Sequence, residues 1–285
     1  MITPTPIRQI TAPAASTTRT MVRSSCTPGP SRRRTTPDRY RSTMIDQSPI
    51  LVPARPGLAI VVSGASSSGK SRLCGALQVR LTELADGDPA VAYAGVAFDD
   101  LAALIATNLY PHSFIGLQGG DVDDLVSRAP HDGRAAWEYV DERDAEGIHG
   151  GQPRVRVVLN PTTRLMLSGV HRGWGEHIGL GTNLVVDHFL QEQDWVDECL
   201  STLSDAGATV FTVGVECSLD ELERREATRS DGAAEVRPLG LARRSDELCR
   251  ATTFAPDVTV STSEQTTEES VELIIASLHT SGHLT

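Results

Sequence analysis

Residues 57–84 read as one continuous unit of apolar run, glycine-bracketed turn and amphipathic helix. The run GLAIVVS (Gly57–Ser63) has the length and β-branched content of a strand buried on both faces. It leads into GASSSGKS, that is Gly64, Ala65, Ser66, Ser67, Ser68, Gly69, Lys70 and Ser71, which fits the phosphate-loop pattern G-x-x-x-x-G-K-[ST]. After Ser71, residues Leu73, Ala76, Leu77, Leu81 and Leu84 recur at helical spacing. In such a unit the backbone N–H groups and the helix N-terminus face a bound anion, the lysine reaches phosphate oxygens and the hydroxyl meets Mg²⁺. Lys70 is the only lysine in the chain, every other Lys/Arg position being arginine. An ammonium on a flexible stem suits this slot better than a planar guanidinium.

The remaining body alternates apolar runs with amphipathic stretches. Ala90–Phe98 predicts a second strand ending at Asp99-Asp100, and 101–109 a short helix closed by Pro111. Residues 112–160 are irregular and acidic, and within them AAWEYVDE and RVRVVL predict a hairpin beside the main sheet. A helix over 163–178, a strand over 183–187 ending in Asp187, a helix over 193–205 and a strand over 208–215 follow. Ser218-Leu-Asp-Glu221 has the form of a capping box opening the next helix. Residues around Arg237, Arg243 and Arg244 read as a linker to a fifth strand at 257–261, and 268–278 as a last helix. The expected class is α/β, a three-layer fold on a mostly parallel five-stranded sheet with ligands at the carboxyl ends of its strands. The domain spans 57–280, with an insert at 112–160 that is expected to be its least ordered part.

Charge divides the 285 residues unevenly. Residues 1–50 carry eight arginines against Asp38 and Asp46, about +6, while the rest holds 18 basic and 35 acidic residues, −17. The first segment is rich in Thr, Pro, Ser and Arg without an apolar period, so a disordered tail is expected. Its composition also fits a transit peptide, or an over-extended start preceding Met44. A nucleic-acid-binding arm is opposed by the acidic body. No run is apolar enough for a membrane span or signal core. Five scattered cysteines without a C-x-x-C pair favour a reducing cytoplasm over a disulfide framework. His171 and His177, six apart, suggest no zinc site.

Three candidates fall at strand ends: the loop, Asp99 and Asp187. Asp99 is suited to orient an acceptor hydroxyl and take its proton, and equally to cap the helix near Leu101. The reading taken is Asp99 in the acceptor site and Asp100 as the cap. Asp187 resembles an acid that holds Mg²⁺ together with Ser71. Arg224, Arg225 and Arg229 lie within a turn and a half of one helix, where arginines clamp phosphates or pair with Glu221 on an exposed face.

From Leu58 to Leu278 the chain resembles chloramphenicol phosphotransferase, a small P-loop kinase that phosphorylates a hydroxyl of the antibiotic. The resemblance rests on IVVSGASSSGKS, AFDDLAALI, NLVVDHFL, VGVECSLDELERREATRSDG and TSEQTTEESVELI, with Pro161-Thr-Thr-Arg164 as a further echo in the acceptor region. It implies ATP as co-substrate with Mg²⁺, Asp99 as base, Lys70 and Ser71 at phosphate and metal, and Arg225 and Arg229 near the nucleotide phosphates. It also implies a lid of arginines. The chain departs from the family after Asp231, where Gly232 replaces an expected arginine. It departs again after Gly240, where Ser245 and Arg250 stand near the places of a glutamine and a histidine. The stretch from Asp99 to Asp187 is also longer. ATP-dependent transfer to a small-molecule hydroxyl is therefore the expectation, with a chloramphenicol-like antibiotic as acceptor and a nucleotide-sugar as the rival acceptor. A nucleotide switch without acceptor is the rival class, but a guanine-specific N-K-x-D motif is impossible with Lys70 as the sole lysine.

Overall fold

A computed structural model describes residues 56–86, 93–106, 109, 135–142, 151–228 and 239–284. The tail over 1–50, Arg229, Arg237 and most of the insert (112–134 and 143–150) lie outside the described residues, as do the expectations placed on them.

The central strand β1 (Leu58–Gly64) is buried at every position, as its unbroken apolar run predicts. Beside it lie β5 (Asn183–His188) on one side and β6 (Thr209–Glu216) on the other. With β2 (Tyr93–Ala97) and β7 (Val258–Ser261) the order is β2-β5-β1-β6-β7, every pairing parallel. A separate antiparallel pair joins β3 (Trp137–Asp141) to β4 (Val155–Leu159), the expected hairpin.

Alternation along β1 sorts the core into two layers. Ala59 and Val61 join a cluster with α3 (Pro161–Gly179) and α4 (Gln193–Asp205), through Leu167, Trp174, Ile178, Trp195 and Leu203. Leu58, Ile60 and Val62 join the opposite cluster with α1 (Lys70–Leu84) and α7 (Thr267–Thr280), through Leu73, Leu77, Leu81, Ile274 and Leu278. Helices on both faces of a parallel sheet make the expected three-layer α/β sandwich.

Several local expectations are corrected. The helix over 101–109 shrinks to α2 (Asp100–Ala103). Leu84 of α1 is 42% exposed rather than on the buried face. Helix α3 starts at Pro161, because Asn160 caps it by accepting the Thr163 N–H at 2.8 Å and a proline suits the first turn. The supposed linker after 239 holds a helix, α6 (Leu241–Ala251), which carries Arg243 and Arg244. Leu241, Ala242 and Ser245 of it are buried, and with half-buried Leu248 and Cys249 they recur at helical spacing, a period that the charged residues between them mask. The capping box fails at α5 (Leu219–Thr228), where the Ser218 N–H donates to Ser263 Oγ and Glu221 turns forward to Arg224 and Arg225. A capping box forms instead at Thr266–Glu269 of α7. Among the described residues no helix is long and apolar enough to cross a membrane.

Candidate functional site

The phosphate loop spans the gap between the end of β1 and the start of α1. Gly64 is needed there for space, since a Cβ would lie 2.4 Å from the Val215 backbone oxygen on β6. Gly69 is needed for conformation, at φ +90°, and Ser67 takes φ +64° beside it. These left-handed residues fold the chain into the kind of concave turn that binds anions. The Ser68 N–H closes it by donating to Ala65 O at 3.3 Å.

Lys70 opens α1 with its side chain drawn inward. Its Nζ donates to Ala65 O at 2.9 Å and lies 5.9 Å from the centroid of the Phe189 ring. Ser71 follows, exposed, in the first turn. Asp187 sits one strand away, level with Val62 on β1 and with Ala97 on β2. Register and alternation put Asp187, like its neighbour Val62, on the α1 face of the sheet, and there burial and then the Asp187 charge push the Cys74 thiol far above its usual range while Lys70 opposes them. Asp187 and Lys70 therefore both act on the first turns of α1. Ser71 and Asp187 supply hard oxygen donors of the kind Mg²⁺ takes.

Asp99 lies two residues beyond Ala97, at the same carboxyl edge and on the far side of β5 from β1. It is exposed and occupies the N-cap position of α2, but its side chain makes no cap hydrogen bond. Asp100 is not the cap either. It is the first residue of α2, and its Oδ2 accepts the Ala97 N–H at 2.8 Å, closing the turn out of β2.

Arg225 reaches the loop from α5. Its Nη1 donates to Ser68 O at 3.2 Å and its Nη2 to Thr262 O at 2.8 Å, while Nε pairs with Glu221 at 2.7 Å. Thr262 Oγ1 donates to the same Ser68 oxygen at 2.7 Å. Arg224 is exposed and forks onto Glu221, so the two readings of these arginines divide between neighbours. Hydrogen bonds from Arg224 and then Arg225 hold the Glu221 carboxyl down at about 2.

Other expectations move away from the site. Arg164, expected near the acceptor, ties α3 to α4 through Glu198 at 2.6 Å and Asp194 at 3.2 Å. His171 pairs with His188, Nε2 to Nε2 at 2.8 Å. With Cys199 they place one ligand atom each within 4.8 Å of one another. The rings share one Nε2–Nε2 hydrogen bond, each Nδ1 is buried without a hydrogen-bond partner, and burial pushes the Cys199 thiol up to about 12, which keeps it protonated. Trp137, Trp174 and Trp195 are buried in the same layer.

One site residue was missed by sequence reasoning. Ser245 of α6, 1% exposed, accepts the Ser66 N–H with its Oγ at 2.8 Å. The sequence reads its segment as a linker, and the signal for Ser245 there is the departure from the family pattern after Gly240.

Comparison with known proteins now adds to this geometry. The family of chloramphenicol phosphotransferase-like proteins matches residues 122–279, more than half of the chain. The chain belongs to this family. The matched span takes in Asp187 and Arg225 but begins after the phosphate loop and Asp99, whose assignment rests on motif and geometry. No curated protein matches the chain in sequence. Among solved structures, a Mycobacterium tuberculosis APS kinase in complex with AMPPNP and APS is 14% identical, covering 79% of this chain and 99% of that one, with a TM-score of 0.46. A Sinorhizobium meliloti gluconokinase is 18% identical over 79% and 93%, TM-score 0.40. A Candida albicans thymidylate kinase is 12% identical over 81% and 94%, TM-score 0.45. The family and the phosphate-loop fold support an ATP-dependent kinase.

Proposed function

We propose that this family member transfers the γ-phosphoryl group of ATP to a hydroxyl of a small molecule, with a chloramphenicol-like antibiotic as the leading acceptor. The observation that carries the reading is the meeting of three chemistries at one sheet edge: the phosphate loop with Lys70, the Asp187 carboxylate one strand over, and exposed Asp99 beyond it. Strands in a sheet lie about 4.8 Å apart, so β2 and β1 are separated by about 10 Å, room for a phosphoryl group and an acceptor hydroxyl between Asp99 and the loop.

In the proposed reaction the loop amides and Lys70 bind the β- and γ-phosphates of ATP. Ser71 and Asp187 would hold Mg²⁺, which supplies charge neutralisation on the phosphate oxygens when bound. Asp99 accepts the proton of the acceptor hydroxyl as its oxygen bonds to the γ-phosphorus and the bond to the ADP oxygen breaks. Arg225, already on the loop wall, neutralises charge on the transferring group, with Arg229 as a second candidate. Phe98 and Phe189 border this edge and give the acceptor an apolar surface.

The direct test is ATP consumption by the full chain with and without chloramphenicol, with products read by mass. A phosphorylated drug that disappears in Asp99→Asn supports acceptor and base together. Consumption that ignores the drug but rises with another alcohol keeps the kinase and changes the acceptor. Release of free phosphate alone, with no response to any hydroxylated compound, would sink the reading.

A further inference from the structure

Ser245 is held in one orientation. Its Oγ–H donates to Ala242 O at 3.0 Å, one turn back on α6, which leaves the oxygen to accept the Ser66 N–H at 2.8 Å. The pair is separated by 179 residues in sequence, and Ser245 is buried while Ser66 is half-buried, so this is a tertiary contact made by a short side chain shielded from water. Helix α6 is fixed independently on other sides. Gly240, at its N-cap, approaches Pro153 so closely that a Cβ would lie 2.4 Å from the Pro153 carbonyl carbon, and Gly240 O accepts the Val155 N–H at 3.1 Å. The Glu226 carboxylate of α5 takes the N–H groups of Gly240 at 2.8 Å and Ala242 at 2.7 Å. Arg244 pairs with Glu142 beside the hairpin at 2.5 Å.

Ser66 is the residue immediately before the left-handed Ser67, the point at which the loop turns. Fixing its amide fixes the direction in which the following N–H groups point. Across the loop, Arg225 and Thr262 hold the Ser68 carbonyl. The two residues flanking Ser67 are thus pinned from different elements, one by its N–H and one by its C=O. We infer that Ser245 is a positioning residue of the nucleotide site, whose hydroxyl sets the phosphate loop through the Ser66 amide and makes α6 a brace of the anion cradle. The inference rests on reading Gly64–Ser71 as the nucleotide loop.

The test is Mg·ADP affinity by calorimetry, alongside amide hydrogen exchange at Ser66, for the wild type, Ser245→Ala, Ser245→Thr and the nearly isosteric, poorly accepting Ser245→Cys. Removing the acceptor of the half-buried Ser66 N–H is expected to weaken ADP about tenfold in the alanine variant. The same loss is expected in the cysteine variant, with faster Ser66 exchange in both. Threonine, which keeps the hydroxyl, is expected to restore affinity to within about threefold. Wild-type affinity in both Ser245→Ala and Ser245→Cys would overturn the inference. So would a loss of affinity accompanied by unchanged Ser66 exchange. If Ser245→Ala does not fold, the cysteine variant decides alone. A wild type that binds no ADP overturns the nucleotide reading itself, an outcome distinct from either.

Discussion

At the residue scale the loop separates two kinds of necessity, charge and space. Lys70 contributes charge. Its Nζ is already directed inward on Ala65 O, and no other lysine stands in for it. Lys70→Ala is expected to lower kcat/KM for ATP turnover by about a hundredfold or more, the scale of a lost electrostatic stabiliser. The urea midpoint should barely move. A tenfold effect or less would remove Lys70 from the phosphate site. Gly64 contributes space. Gly64→Ala places a methyl 2.4 Å from Val215 O, a backbone atom that moves only if β6 moves. The expected cost is about 1–3 kcal/mol of stability, read in urea, with weaker ADP binding in the folded fraction. Both roles were legible in the sequence, because G-x-x-x-x-G-K-S is a local pattern enclosed by its own strand and helix. Ser245 was not legible, because a single hydrogen bond across 179 residues leaves no periodic trace. Asp100 was misread for a related reason. Two adjacent aspartates at a strand end offer the same chemistry, and only the observed turn shows that Asp100 takes the Ala97 N–H.

At the scale of elements, strands and long helices were read well and caps poorly. The reason lies in competition for one carboxylate. Ser218-x-x-Glu221 and Thr266-x-x-Glu269 present the same capping pattern. Glu221 is followed at three and four residues by Arg224 and Arg225, and charge-assisted bonds to guanidinium outweigh a bond back to an amide. Glu269 is followed at those spacings by Glu272 and Leu273, which offer nothing, so its Oε2 accepts the Thr266 N–H at 2.8 Å while Thr266 Oγ1 accepts the Glu269 N–H at 3.1 Å. The capping box should therefore contribute at α7 and not at α5. Thr266→Ala is expected to cost about 1 kcal/mol of stability with ADP affinity unchanged. Ser218→Ala should cost clearly less, as its side chain has no part in such a box. Equal losses in chemical denaturation would refute this account of why the box moved. The same competition explains Arg164, which the sequence offered to an acceptor and which two acids on α4 hold at the helix interface.

At the scale of the whole molecule, one buried pair links the fold to pH. His171 on α3 and His188 at the end of β5, 1% and 0% exposed, lie in the layer that also holds Trp174 and Trp195. Burial pushes both imidazoles down, His171 to about 4 and His188 well below its ordinary value. Glu198, 3.5 Å from His171 Nδ1, works against this for His171, and Arg164 works with it. An unfolded histidine titrates near 6.5. Between about 6.5 and about 4 the unfolded chain thus binds protons that the native pair refuses, so acid favours unfolding. Stability is full above the unfolded value and falls as pH drops through it, by up to about 1.4 kcal/mol per pH unit for each histidine. Burial works to raise the neighbouring Glu198, but bonds from Ser168 and Arg164 leave it lowered, so its own loss begins below its ordinary 4.5, beneath most of this window. Urea midpoints measured from pH 7.5 to 5 should therefore fall steadily. A folded His171→Gln, His188→Gln double variant should lose most of that slope, whatever its absolute stability. A slope unchanged in the double variant would assign the acid sensitivity to other groups. A slope that vanishes with it would make this pair, which ties α3 to the end of β5, the main source of the fold's acid sensitivity.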